Sequence, residues 1–348
     1  MNLQIALLLG QDGATSGAIY ALLALCIVLV FTVTRVLLVP QGEFVTFAAL
    51  TLAALQAGRP ARLAWLLLAL ALGRLLQRLW LLRSGPSADE DALSWRDALG
   101  PLYALLCLLV GLRLPAAGWP LVLQLGFTLA LVVPLGPWLY DLCFRPIAAA
   151  SGLVLLIVSI ASHVVLVGLA LLMFGAEGAR TEAFSESGLD LGLVRLNAQT
   201  LWVLATALVL MLALGLFFGR SLTGKALRAT AISRLGAQLM GISPTRAGRL
   251  CFGLAALIGG LSGALISPIT TLYYDSGFLI SLKGFVGAVV GGLVSFPLGA
   301  IGALAVGLIE AYSTFWASAY KEVIVFTLIL PVLLWRSLVS ASHDEEPA

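Results

Sequence analysis

The sequence has few charged residues, few histidines and few cysteines. Of its 348 residues, 11% are Asp, Glu, Lys or Arg, two are His and four are Cys. Soluble domains carry about a quarter charged residues, whereas this chain is 61% hydrophobic with a mean hydropathy of +1.06. This composition excludes a water-soluble surface, intrinsic disorder and a nucleic-acid-binding protein, and the net charge of +3 is too small to determine the partner by itself. The composition therefore predicts an all-α polytopic membrane protein.

The cysteines and histidines do not form a recognisable reactive site. Each cysteine lies in or at the end of an apolar run, and no two have the spacing of metal ligands, so we expect small buried side chains (Cys26, Cys107, Cys143 and Cys251). The sequence contains no HExxH motif, and GLSG at 260–263 has no His in a later span that could act as its base. We predict no catalytic residue, no metal and no cofactor.

Apolar segments long enough to cross a bilayer recur along the chain. A spanning helix needs about 20 apolar residues, and the segments of that length are 15–37, 120–143, 152–174, 200–219, 248–272 and 322–338. Shorter or interrupted segments are 43–57, 62–82, 99–115, 280–296 and 299–316. Since a short segment can be a full span or a half-helix, we predict 8 to 11 transmembrane helices.

The basic residues predict the orientation. The segment 220–249 holds six Lys or Arg and no acidic residue, whereas 175–199 holds four acidic residues against two basic ones. The positive-inside rule therefore places the first segment in the cytoplasm and the second outside. The predicted units are N-terminal spans 1–57, a helical hairpin 58–118 with a cytoplasmic tip, spans 119–219 with the external loop 175–199, a cytoplasmic loop 220–247, spans 248–338 and a disordered cytoplasmic tail 339–348.

The hairpin 58–118 is unusual because basic residues precede its polar tip. Arg74 and Arg78 share one helix face, and a charge at mid-membrane costs about 2.5–3.5 kcal/mol. We therefore expect these side chains at the inner interface, with their charged groups in headgroup water. The hairpin is either a docking surface or a neutral insertion, of which we favour the second.

The segment 220–250 is the most informative part of the chain. An apolar stripe with a four-residue repeat predicts a cytoplasmic amphipathic helix (Leu227, Ala231, Leu235 and Leu239), flanked by basic residues (Lys225, Arg228 and Arg234). Gly241 is a suitable C-terminal stop, and Ser243-Pro244 a suitable start for the next helix. The helix either serves as a lever for a cytosolic partner or lies passively on anionic lipid. Gly219, Gly224 and Lys225 match part of a phosphate-binding loop, but Ala226 lacks the hydroxyl that the motif requires.

Ionisable residues inside apolar segments are candidates for a transport pathway. Glu43 follows a glycine at the start of a short segment, which suits a broken helix beside a water-filled cavity. For His163, we favour a neutral side chain hydrogen-bonded across a helix contact. For Lys283 and Glu310, a structural ion pair or interfacial anchor and a pathway role both remain open.

Several runs resemble the permeases of the branched-chain amino acid ABC importers: GKALRATAISRLGAQLMGI, LKGFVGAVVGGLVSFPLGAIGALAVGLIEA and YKEVIVFTLILPVLLWR, with weaker similarity in GATSGAIYALLALCIVLVFTV and at 144–175. The resemblance implies the fold of the larger, type II-like class of importer permeases. It also implies that a coupling helix at 224–241 docks on cytoplasmic ABC ATPase subunits, which hydrolyse the ATP. The other implied partners are a second homologous permease, a periplasmic substrate-binding protein and the lipid of a bacterial inner membrane.

The sequence departs from that family after the first span. Members usually carry Asn-Phe-Ala-His-Gly-Glu there, whereas this chain has LVPQGEF, which keeps Gly42 and Glu43 and places Gln41 at the His position. Gln41 therefore joins the pathway candidates, and the solute stays open between branched-chain amino acids and urea or short amides. The alternative function is an ion-coupled secondary transporter or channel, which would leave the amphipathic loop unexplained.

Overall fold

The computed structural model describes residues 3–84, 95–113, 118–185, 188–190, 195–293 and 295–334. The tip of the predicted hairpin and the tail 339–348 lie outside these residues. The described helices are α1 Leu3–Thr34, α2 Gln41–Gln56, α3 Leu63–Ser84, α4 Trp95–Arg113, α5 Leu121–Val132, α6 Leu135–Leu139, α7 Gly152–Phe174, α8 Ala198–Arg220, α9 Leu222–Ile232, α10 Arg234–Leu239, α11 Pro244–Ile266, α12 Ser276–Val290, α13 Phe296–Ala317 and α14 Lys321–Thr327. Two short antiparallel strands, β1 Gly188–Asp190 and β2 Arg195–Asn197, form a hairpin between α7 and α8.

The predicted all-α polytopic class is confirmed. Within the described residues, seven helical segments are long and apolar enough to cross a membrane by length and composition, and two shorter apolar helices accompany them (Ala98–Arg113 and Ser276–Val290). The predicted range of 8 to 11 counted short segments as separate crossings, whereas Phe296–Leu334 forms one continuous candidate of 39 residues. Within this candidate, a short 3-10 helix at Ser318–Tyr320 joins the two segments that the sequence predicted separately, 299–316 and 322–338.

Helix α1 forms the centre of the bundle, and glycines allow its neighbour to approach closely. Nearly nine-tenths of its most apolar window is buried. A Cβ at Gly17 would lie 2.9 Å from the Cα of Leu304 on α13, so this contact brings the two backbones together. Small residues at a helix crossing allow such close packing in membrane proteins.

The bundle has two ends, which we name by the segments they hold. At the basic end, the segment 220–247 contacts the end of α1 and the turn after the Tyr140–Phe144 π-helical segment. At the loop end, the chain after α7 pairs with the chain after α11 through the backbones of Ala179 and Leu272. Helices α1 and α13 therefore run between these ends in opposite directions.

Helix α2 begins inside the bundle and not at its surface. After α1 ends, Arg35 adopts a φ of +61°, and the chain turns back between the helices. Ser159, an interior residue of α7, accepts a hydrogen bond from the amide of Val39 at 2.9 Å and donates one to the carbonyl of Leu37 at 2.6 Å. The 16 residues of α2 span about 24 Å, so the short predicted segment 43–57 is a helix shorter than the hydrocarbon core of about 30 Å.

The expected location of the Arg74 charged group in headgroup water is wrong. Its Nε lies 2.9 Å from Oδ2 of Asp141, a buried carboxylate in the π-helical turn, and the Arg74 side chain is only one-fifth exposed. A buried carboxylate requires a counter-ion, and Arg74 supplies one. The hairpin is thereby joined electrostatically to the main bundle.

Candidate functional site

Residues from three distant parts of the chain meet at the start of α2. Gln41 and Glu43 are completely buried, and Nδ1 of His163 on α7 lies 3.0 Å from Oε1 of Glu43. The Phe278 ring of α12 lies against the imidazole, with 4.8 Å between the ring centres. Gln41 donates a hydrogen bond to the carbonyl of Ala255 on α11 at 3.0 Å. Three of the predicted pathway residues therefore belong to this region, and the expected helix-to-helix contact of His163 is made with Glu43.

Several polar atoms around this point have no hydrogen-bond partner among the described residues. They include Oε2 of Glu43, the carboxylate oxygen that does not face His163, together with Oγ1 of Thr46 and Oγ of Ser262. A buried polar atom left unpaired costs about 1–3 kcal/mol. The start of α2 therefore has spare hydrogen-bonding capacity, which a polar solute can satisfy.

A cavity of about 440 Å³ lies beside this polar cluster, between α1, α7, α12 and the segment before α2. Its polar side chains are His163 and Ser281, and its other lining residues are apolar, including Leu38, Leu156, Ile160, Phe278 and Phe285. An apolar wall with few polar groups suits a small ligand that has an aliphatic part. The structure thus places an aliphatic cavity next to the buried Glu43–His163 pair.

The remaining two pathway candidates form a separate site. Nζ of Lys283 on α12 lies 2.6 Å from Glu310 on α13 and 3.4 Å from Glu322 on α14. The Tyr20 hydroxyl of α1 donates to the second oxygen of Glu310 at 2.7 Å. This network links four helices, and the described structure brings neither Lys283 nor Glu310 to the Glu43–His163 pair.

The predicted single helix at 224–241 is wrong, because the chain breaks at Ser233. This residue has extended backbone angles (φ −148°, ψ 113°), and its hydroxyl accepts a hydrogen bond from the amide of Gly236 at 3.1 Å. Ser221 caps α9 in the same way through Gly224 at 2.9 Å. A serine that caps a new helix ends the previous one, which explains why α9 and α10 are separate.

The break divides the predicted apolar stripe between the two helices. On α9, Leu227 is buried and Ala231 is half-buried, so this helix packs on the bundle. On α10, Leu235 is 69% exposed and Leu239 is 80% exposed. The next residue, Met240, is 81% exposed. The second helix therefore presents an apolar surface away from the bundle.

Arg234 differs from the other predicted flanking residues because it points inward. Its guanidinium donates to the carbonyls of Val33 and Thr34 at the end of α1 and to that of Ala148 in the turn before α7. Lys225 and Arg228 remain exposed on α9. Gly241 has a φ of +78°, which supports its predicted role as a helix stop. Ser243 and Pro244 occupy the predicted first positions of α11.

The sequence interpretation missed Asp141. This buried carboxylate lies 2.5 Å from Nε of Arg249 on α11 as well as contacting Arg74. Its position inside an apolar run was a signal, since intramembrane acidic residues are rare and usually paired.

Comparisons with known proteins agree with one another. The family model "Branched-chain amino acid transport system / permease component" matches residues 96–333. The high-affinity branched-chain amino acid transport system permease protein LivH of Escherichia coli K12 is 30% identical over 234 residues, which cover 62% of this chain and 73% of that protein. The corresponding BraD protein of Pseudomonas aeruginosa is 29% identical over 231 residues, or 62% and 74% of the two chains.

A second LivH, from Salmonella typhimurium, is 37% identical over 126 residues, covering 36% of this chain and 41% of that protein. No solved structure matches the chain. The family model covers more than half of the chain, and the multi-pass helical architecture agrees with it. The chain therefore belongs to the family of branched-chain amino acid transport system permease components.

Proposed function

We propose that this protein is the non-catalytic permease subunit of an ATP-driven importer in a bacterial inner membrane. In this function, separate ABC ATPase subunits hydrolyse ATP on the cytoplasmic side, where the basic segment 220–247 lies. A second homologous permease completes the membrane unit, and a periplasmic binding protein delivers the solute at the loop end. Family membership and the charge distribution support this arrangement.

The exposed apolar surface of α10 is the observation that carries the proposal. A six-residue helix with Leu235 and Leu239 turned outward is poorly suited to remain in water. Arg234 holds the same helix to α1 and to the turn before α7 through backbone carbonyls. A partner that binds Leu235 and Leu239 can therefore displace two membrane helices at once. Lys225, Leu227, Arg228, Ala231 and Gly241 complete the coupling segment, on its flanks or against the bundle.

The Glu43–His163 pair and its apolar neighbour cavity are the proposed transport pathway, with Gln41 fixing the start of α2. A branched-chain amino acid has an aliphatic side chain for the cavity and charged groups for the polar cluster. Urea or a short amide would use only the polar part. The Lys283–Glu310 pair then serves to hold α12 against α13.

Transport assays test the function directly. The chain, its partner permease, the ATPases and the binding protein are reconstituted in vesicles, and leucine uptake is measured. We expect uptake that requires ATP and the binding protein and that vanadate blocks. Leucine uptake driven by an ion gradient without any ATPase would overturn the proposal and favour the secondary transporter.

The variant Leu235→Asp tests the coupling surface. An aspartate at the centre of the apolar patch should reduce copurification of the ATPase at least about tenfold, as loss of a central interface residue does. Leu235→Met is the matched control, because it keeps the apolar surface and should retain the ATPase. Membrane insertion of both variants is checked by cell fractionation. Unchanged ATPase binding and uptake in Leu235→Asp would exclude α10 as the docking element.

A further inference from the structure

A second cavity, of about 720 Å³, opens at the loop end of the bundle. It lies between α1, the start of α8, the chain after α7 and the chain after α11, with Asp12, Ser16, Arg180, Asn197, Pro268 and Ile269 among its lining residues. Its volume lies in the range of ligand sites, about 300–1,000 Å³. Unlike the apolar cavity beside His163, it holds both an anionic and a cationic side chain.

Hydrogen bonds fix the walls of this cavity. Gln199 joins two of them, since its amide donates to the carbonyl of Leu265 at 2.9 Å and accepts from the amide of Phe184 at 3.2 Å. The hydroxyls of Thr181 and Ser267 lie 2.6 Å apart. On the opposite side, Gln11 donates to Thr200, which connects α1 with α8. The cavity is thus shaped by the fold before any ligand arrives.

The two charged side chains remain available to a ligand. Arg180 uses Nε to donate to the carbonyl of Pro268 at 2.9 Å, which orients the guanidinium. Within the described part of the chain, neither of its terminal nitrogens has a protein partner. The Asp12 carboxylate, also exposed, likewise has no hydrogen bond or ion pair to any described residue.

We infer that this cavity is a recognition site for the zwitterion of an α-amino acid. Asp12 binds the ammonium group, and Arg180 binds the carboxylate, for which the planar guanidinium is the preferred partner. Ala183, Pro268 and Ile269 form the apolar wall that an aliphatic side chain requires. The inference rests on the proposed function, because it names the chemical class of solute and the place where the permease first binds it.

Chemical protection tests the site without transport. A Ser16→Cys variant of the assembled permease–ATPase complex is labelled with a membrane-impermeant maleimide, in the absence of binding protein and nucleotide. The matched control is the unaltered chain, whose cysteines are buried or half-buried and should label slowly. We expect leucine to slow labelling of the variant. Isoamylamine, which lacks the carboxylate, and 4-methylpentanoate, which lacks the ammonium group, should not slow it at the same concentration.

Charge-removing variants assign the two roles. In the Ser16→Cys background, Asp12→Asn and Arg180→Gln should each raise the leucine concentration for half-protection about tenfold or more, as expected for loss of a charge-assisted contact. Glu182→Gln removes an exposed acid of the same loop that does not line this cavity, and it should leave protection unchanged. Arg180→Lys, which keeps the charge, should restore part of the protection.

Three results would overturn the inference. The first is a failure of leucine to protect the introduced cysteine at high concentration, and the second is equal protection by isoamylamine or by an uncharged amide. The third is that Asp12→Asn and Arg180→Gln weaken only the docking of the binding protein and leave leucine protection intact, in which case the residues bind that protein instead. Vanadate-sensitive leucine uptake by the unaltered complex is measured in parallel. If that uptake is present, the three results above contradict the site and not the proposed function.

Discussion

At the scale of single residues, the charged side chains inside the bundle occur in paired sets. Lys283 is held between Glu310 and Glu322, while Asp141 is held between Arg74 and Arg249. A buried charge without a partner is strongly destabilising. Most of the rare charges in the apolar segments therefore serve to connect helices, whereas one carboxylate oxygen of Glu43 has no hydrogen-bond partner among the described residues.

The Lys283–Glu310 pair leads to a stability prediction. Lys283→Met should lower the free energy of unfolding by about 3 kcal/mol, because it leaves the Glu310 carboxylate, which is 14% exposed, without its cation. The double variant Lys283→Met/Glu310→Gln should recover much of that loss. Thermal unfolding of the purified complex in detergent measures the effect, with the exposed Arg220→Met as the control. A loss in the double variant as large as in the single one would show that packing, and not charge, is lost.

At the scale of elements, the coupling segment combines a fixed helix with a projecting one. Helix α9 buries Leu227, and α10 is held by the contacts of Arg234 to the carbonyls around it. Under the proposed function, binding of a partner and transmission of its movement therefore depend on neighbouring but different side chains. Leu235 and Arg234 are adjacent in sequence but point in opposite directions.

The variant Arg234→Ala separates transmission from binding. It removes three hydrogen bonds from a charged donor, each contributing about 1.5–3 kcal/mol. The ATPase should copurify as with the unaltered chain, whereas leucine uptake per ATP hydrolysed should fall about tenfold or more. Arg246→Ala, an exposed arginine in the first turn of α11, should change neither quantity. Loss of ATPase binding in Arg234→Ala would show that Arg234 belongs to the docking surface itself.

The elements were more predictable from the sequence than their contacts. The apolar run 152–174 predicted α7 with the bounds that the structure has, Gly152–Phe174, because a span of this length has few alternative registers. The break at Ser233 was missed since a four-residue apolar repeat continues across it. The contact between Glu43 and His163 joins residues 120 positions apart, and no local pattern encodes such a contact.

At the scale of the whole molecule, the hairpin α3–α4 is part of the bundle. The sequence favoured a neutral insertion, which is a prediction about function and not about packing. Structurally, Arg74 on α3 forms an ion pair with Asp141, and Arg249 on α11 forms a second ion pair with the same carboxylate. The hairpin is thereby connected through one carboxylate to the start of α11.

Arg74 and Arg249 share the Asp141 carboxylate. We therefore expect removal of one arginine to destabilise the protein less than removal of both. Arg74→Met should be tolerated, since Arg249 still neutralises Asp141. Arg74→Met/Arg249→Met should lower the free energy of unfolding by about 3–5 kcal/mol through an unpaired buried carboxylate, and addition of Asp141→Asn should reverse much of this. Thermal stability by size-exclusion chromatography measures the series. An equally large loss in Arg74→Met alone would mean that the hairpin contact itself dominates.

If the ATPase docks on α10 as proposed, the separation of α10 from α9 at Ser233 has a consequence for how importers in one cell remain distinct. Under the proposed docking, the surface that meets an ATPase lies on α10 and on Met240 directly after it, while the residues that fix the segment to the bundle lie elsewhere, apart from Arg234. The choice of ATPase can therefore change by substitutions in Leu235–Met240 without any change in the membrane helices. Under this arrangement, related permeases can differ in the ATPase that they bind while they keep the same transport pathway.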